Sequence, residues 1–97
     1  MADATLFYLK VVSREGPIYD GRVLSITSYN EKGKFDVLVS HANFISLISR
    51  GVEIVEMNGN SKQLNFDNAL LRVKSNLVEV YIGVEGMGPL KYPSQAV

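Results

Sequence analysis

Alternation between apolar and polar side chains along most of the chain is the feature that most restricts its fold. In an extended strand from Leu6 to Val12, the side chains of Phe7, Leu9 and Val11 share one face. The same period of two recurs at Phe35, Val37 and Val39. This pattern predicts strands that each turn one face towards a core.

Turn sequences separate these segments and predict antiparallel hairpins. Asn58-Gly59 suits a tight turn between strands at 52–57 and 62–66, and Ser75-Asn76 joins strands at 70–74 and 77–82. Ser13 to Pro17 has the composition of a third turn. We therefore predict an all-β fold in which short strands form a sandwich or a barrel. We favour an antiparallel β-sandwich of two packed sheets. The side chains expected in its core are Leu38, Ile54, Leu64, Phe66, Leu71, Val73, Val80 and Ile82.

Two segments need separate interpretation. Val23 and Ile26 lie three positions apart in a β-branched stretch, so a β-bulge must lie between them if both face inward. The segment from His41 to Ile48 fits either a helical turn or a strand. We favour the strand, because isoleucine and serine are poor helix formers.

Composition limits the class of protein. The 97 residues include 46% hydrophobic and 21% charged side chains, which is typical of one globular domain. Ten basic and ten acidic residues cancel, so no nucleic-acid partner is expected, and cysteine is absent. No apolar run approaches the roughly 18 residues of a membrane span, and Met1–Thr5 does not resemble a signal peptide. We expect a soluble intracellular domain over residues 1–85 and a mobile tail over 86–97, where glycine and proline break any regular pattern.

The sequence offers no convincing catalytic, cofactor or metal site. Ser40 and His41 are neighbours, which point to opposite faces of an extended chain, and no second histidine is available as a ligand. Glu53 and Glu56 also fall on opposite faces of a strand. The glycine-rich segment at 83–88 is followed by Pro89 rather than by a helix, so it lacks the features of a phosphate-binding loop.

The segment from Gly33 to Leu47 carries a recognisable motif. Gly33, Val37, Leu38, His41, Ala42, Phe44 and Ile45 match in type and spacing a pattern of glycines, an aliphatic pair and Pro-Gly-His, while Asp36, Val39, Ser40 and Asn43 depart from it. Leu9–Val23 and Asp67–Val73 fall in the same order as its flanking segments, with Asn68 and Ala69 in place of two glycines. Over about residues 6 to 83 the chain resembles the N-terminal β-sandwich domain of the epsilon subunit of F-type ATP synthases.

This resemblance implies a non-catalytic rotor subunit of the central stalk, which couples a gamma-like coiled-coil shaft to the c-ring of a proton-translocating ATP synthase. It implies ring contacts at Glu31, Lys32 and Lys34, and shaft contacts at a corner formed by His41, Ala42, Asn43 and Phe44. It also implies a peripheral position on the cytoplasmic face of an energy-transducing membrane, without membrane insertion and without a cofactor. The C-terminal helical pair of the family has no counterpart in these residues. The alternative is a stand-alone β-sandwich module that binds a glycan or a peptide.

Overall fold

The computed structural model describes residues 6–39 and 43–83. Within these ranges the chain forms strands and turns, with no helix long and apolar enough to cross a membrane. The seven strands are β1 (Phe7–Ser13), β2 (Gly16–Asn30), β3 (Gly33–Val37), β4 (Phe44–Glu56), β5 (Ser61–Leu64), β6 (Asn68–Lys74) and β7 (Leu77–Ile82). The prediction of an all-β fold is confirmed. The expected tail at 86–97 lies outside the described residues.

The strands form two layers that share β2 and β4. Layer A consists of β3, the C-terminal half of β2, the C-terminal half of β4, and β5. Layer B consists of the N-terminal half of β2, then β1, β7, β6 and the N-terminal half of β4. Because β2 and β4 have 15 and 13 residues and belong to both layers, the hydrogen bonding is continuous where two separate sheets were expected. The pairs are antiparallel as predicted, except that β1 and β7 are parallel.

β2 passes between the layers through the predicted bulge. The β2–β4 register shifts between Val23 and Ser25, and both Val23 and Ile26 are fully buried. The extra residue lets side chains three positions apart point into one core. This prediction is confirmed.

β4 passes between the layers at Arg50 and Gly51, where φ is positive at both residues, at 68° and 78°. The buried Ser28 hydroxyl donates a 2.8 Å hydrogen bond to the Gly51 carbonyl oxygen and fixes the bend to β2. A Cβ on Gly51 would collide with the Leu64 carbonyl oxygen. The segments predicted as separate strands at 41–48 and 52–57 are thus one bent strand from Phe44. His41 lies outside the described residues.

The core lies between the layers and confirms most of the predicted burial. Ile54, Leu71, Val73 and Val80 are buried, whereas Leu64, Phe66 and Ile82 are partly buried against the same cluster. Leu38, which we expected in the core, is 59% exposed. That prediction is wrong because Val37 and Val39 take the inward positions on either side of it, as their alternation requires. The hairpins around Asn58-Gly59 and Ser75-Asn76 are present.

Candidate interaction surface

The structure brings three of the predicted ring and shaft residues close together. Glu31 and Lys32 form the exposed turn between β2 and β3, and Phe44 begins β4. These three residues line one groove of about 670 Å³. Its other lining residues are Asn30, Ile45, Ser46, Leu47, Ile48, Ser49 and Asn68.

The amide of Asn30 holds the two walls of this groove together. Its Nδ2 donates to Ser46 Oγ across 3.3 Å, and its Oδ1 accepts a 2.9 Å hydrogen bond from the Lys32 backbone N–H. The turn is therefore fixed both internally and to β4. Two regions that are remote in sequence form one feature of the surface.

Lys34 and Asn43, two of the other predicted contact residues, lie apart from the groove lining. Lys34 is exposed on β3, opposite Tyr29. Asn43 accepts a 2.9 Å hydrogen bond from the Ser75 backbone N–H through Oδ1, which gives it a structural role at the β6–β7 turn. His41 and Ala42 are outside the described residues.

The outer face of layer B carries an apolar row that is not among the residues predicted from the sequence. The register places Leu47 beside Leu70, Leu70 beside Tyr81, and Tyr81 beside Val12. With strands about 4.8 Å apart, the row spans roughly 14 Å. Leu47 is 69% exposed and the other three side chains are half-buried. Adjacent apolar residues, such as Val11-Val12 and Leu70-Leu71, were the available signal, because they place apolar groups on both faces of a strand.

The next row of side chains on the same face is charged, and its positive and negative charges cancel. Arg72, Glu79, Lys10 and Asp20 lie side by side with alternating sign, and Arg72 Nε is 3.6 Å from Glu79 Oε1. Burial raises the pKa of Tyr81, and its hydrogen bond to Glu79 raises it further. A partner covering this face would meet charges that already have opposite neighbours.

The outer face of layer A is polar by comparison. Asp36, Thr27, Glu53 and Gln63 form one row, and the Thr27 hydroxyl donates a 2.7 Å hydrogen bond to Asp36. Beside them, the Arg50 guanidinium lies over the Tyr29 ring, 4.6 Å from its centroid. The two faces of the sandwich therefore differ in the chemistry that they offer to a partner.

The described residues contain no group of three histidine, cysteine, aspartate or glutamate side chains that could hold a metal ion. Glu56 Oε2 instead accepts a 2.9 Å hydrogen bond from the Tyr19 hydroxyl, while Glu53 lies exposed in the polar row. Ser40 and His41, and the glycine-rich segment after Gly83, lie outside the described residues.

Comparison with known proteins identifies the family. Residues 6–83 match the family described as the beta-sandwich domain of the ATP synthase Delta/Epsilon chain. The chain is 34% identical over 84 residues to the ATP synthase epsilon chain of Nitratiruptor sp., covering 86% of this chain and 64% of that one. It is 29% identical over 82 residues to the epsilon chain of Clostridium botulinum, covering 84% and 60%. The chain thus spans less than two thirds of the length of these relatives.

Solved structures show the same fold at low sequence identity. A chain in the Euglena gracilis mitochondrial ATP synthase, resolved as OSCP/F1/c-ring, matches with a TM-score of 0.72 and 20% identity, over 81% of this chain and 51% of that chain. A chain in the central stalk/c-ring of the Tetrahymena thermophila mitochondrial enzyme matches with a TM-score of 0.63 and 10% identity, over 77% and 61%. The family match over residues 6–83 covers the same range as the motifs that resemble the epsilon subunit. The chain belongs to the delta/epsilon β-sandwich family of ATP synthase subunits.

Proposed function

We propose that this domain is a non-catalytic rotor subunit of a proton-translocating F-type ATP synthase, which couples a gamma-like shaft to the c-ring. Its membership of the delta/epsilon family supports the proposal, and the similar structures come from assemblies described as OSCP/F1/c-ring and central stalk/c-ring. The domain would lie at the periphery of an energy-transducing membrane, on its cytoplasmic face, and be held there by the complex.

The difference between the two sandwich faces is the observation that carries the proposal. A partner that covers layer B would bury the row Leu47, Leu70, Tyr81 and Val12, whereas layer A presents charges and hydroxyls. Protein interfaces have an apolar core in which charged groups are depleted. We therefore assign shaft docking to the outer face of layer B, and ring contact to the neighbouring turn at Glu31 and Lys32.

The proposed mechanism is mechanical and requires stiffness. Because β2 and β4 belong to both layers, the layers are joined by continuous backbone as well as by the core. Close-packed interiors have low compressibility and transmit strain. Torque applied at the layer B face would reach the Glu31 turn with little internal deformation.

The test measures binding to the gamma subunit of the same organism with two exposed apolar positions changed to aspartate. Leu47→Asp alters the apolar row, and Met57→Asp, at 63% exposure against 69%, is the matched control at the β4–β5 turn. We expect Leu47→Asp to weaken binding by at least about tenfold, because a charge would be buried in the interface core. Met57→Asp should bind like the unchanged protein.

Equal affinity of both variants, with their folds intact, would overturn the assignment of layer B. The alternative of a stand-alone glycan- or peptide-binding module predicts that even the unchanged protein does not bind the gamma subunit. The same titration therefore separates the two functions.

A further inference from the structure

One edge of layer B has an open backbone. Along Phe44–Ile48, β4 pairs with β6 on one side only. On the other side its pairing with β2 begins at Ser49, opposite Tyr29, and no other described residue pairs with the edge before that point.

The course of β2 produces this opening. β2 ends at Asn30, and the turn at Glu31 and Lys32 leads away into β3 in layer A. What remains between the turn and β4 is the groove of about 670 Å³, bridged by the hydrogen bond from Asn30 to Ser46. The open edge therefore forms one wall of the groove.

Among the described residues the outer edges of β3 and β5 are also open, but they carry different side chains. Lys34 and Asp36 lie on β3, and β5 begins with Ser61, Lys62 and Gln63, all exposed. Charged side chains on an edge strand discourage pairing with another chain. The β4 edge instead carries Phe44, Ile45 and Leu47, with exposures of 40%, 54% and 69%. It lacks the charges that protect the other two edges.

An unpaired strand edge recognises one kind of ligand. Its free N–H and C=O groups can be satisfied by another extended backbone, whereas the backbone groups of a helix are already bonded internally. Side chains at alternate positions of the added strand then decide specificity. An apolar side chain of the added strand that lies beside Leu47 and points outward would extend the apolar row of layer B by one strand.

We propose that an extended segment of the shaft subunit adds to layer B as a further strand along Phe44–Ile48, with apolar side chains at its alternate, outward-facing positions. This inference rests on the proposed function and specifies how part of the shaft contact is made. The segment occupies the groove, and the Glu31–Lys32 turn borders it.

Amide hydrogen exchange of the ¹⁵N-labelled protein, free and saturated with the unlabelled gamma subunit of the same organism, tests the proposal. In the free protein, the amides of 44–48 that point away from β6 should exchange rapidly. In the complex, we expect these alternate amides to exchange at least about tenfold more slowly, because they gain backbone acceptors. The amides on the outer edges of β3 and β5 are internal references and should keep their rates.

The possible outcomes separate this inference from the proposed function. If the gamma subunit binds and Leu47→Asp weakens the complex, but the outward amides of 44–48 keep their free rates, strand addition is wrong and layer B docking stands. If the gamma subunit does not bind at all, the proposed function fails together with this inference. Slowing that is confined to the outward amides of 44–48, with the reference amides unchanged, supports strand addition.

Discussion

Single residues determine where the long strands bend. Gly51 combines a positive φ with a position against the Leu64 carbonyl oxygen, and Ser28 binds its carbonyl oxygen from the neighbouring strand. From sequence alone, Arg50-Gly51 indicates a break between strands, because glycine commonly marks a turn. The hydrogen bond from Ser28 connects positions 23 residues apart, and no local pattern indicates it.

Replacing Gly51 tests the bend. Gly51→Ala should lower the free energy of unfolding by about 2–4 kcal/mol, because it adds a steric conflict to backbone strain of about 1–3 kcal/mol. Gly59→Ala is the control, since Gly59 also has a positive φ, of 92°, but a Cβ added there would meet no atom within 4 Å. Urea denaturation measures both, and equal losses would show that crowding at Gly51 is unimportant.

Tyr19 gives the domain a defined sensitivity to alkali. The pKa of Tyr19 is raised from 10.0 to about 12, mainly by burial and to a smaller extent by the hydrogen bond to Glu56. Because the folded state favours the neutral phenol, this contribution to stability is complete below pH 10 and is lost as the pH rises towards 12. Tyr19→Phe should make the free energy of unfolding less dependent on pH in that window. An unchanged pH profile, measured by denaturation at each pH, would contradict this account.

At the scale of the strands, the alternation of apolar and polar residues predicted which face of each strand is buried. It did not predict which side chains lie next to each other on the outward face. Val11, Leu71 and Val80 are buried as their period requires, and the hairpins follow from Asn58-Gly59 and Ser75-Asn76. The outward apolar row could not be read in the same way, because it depends on the register between strands. The proximity of the Glu31 turn to Phe44 similarly follows from tertiary contacts.

Leu71 and its neighbour Leu70 provide a test of the two faces of β6. Leu71 is fully buried in the core, and Leu70 is half-buried in the outward row. Leu71→Ala should cost roughly 2–5 kcal/mol of unfolding free energy, the usual range for an emptied core leucine site. Leu70→Ala should cost about 1 kcal/mol or less, because its side chain is already partly in contact with water, and should instead weaken gamma binding. Denaturation measures the stability of both variants, and titration measures their binding to the gamma subunit. A larger loss of stability in Leu70→Ala than in Leu71→Ala would contradict this prediction.

At the scale of the whole molecule, the resemblance predicted the fold and family, and the structure added the unequal faces. The apolar row of layer B forms only when residues from β1, β4, β6 and β7 are aligned. The turn at Glu31 and Lys32 projects from the side of the sandwich that also holds the open edge. We therefore expect the shaft and ring contacts to be adjacent.

Charge reversal at Lys32 tests the ring contact within the assembly. Lys32 is exposed, so Lys32→Glu should weaken attachment to the purified c-ring by less than about threefold, since exposed ion pairs contribute little. The effect should decrease further as the salt concentration rises. Lys62→Glu on β5 is the control. Leu47→Asp is expected to weaken gamma binding by at least about tenfold. If Lys32→Glu weakened attachment to the c-ring as much, the ring contact would not be a peripheral electrostatic one.

The parallel pairing of β1 with β7 has a consequence for how the chain folds. β1 lies between β2 and β7, so the first strand of the described chain gains its second neighbour only from the last. Contacts between segments so distant in sequence slow folding, because the intervening chain must close as a loop. During synthesis, layer B cannot close until β7 has emerged from the ribosome, and the backbone edge of β1 that pairs with β7 stays open until then.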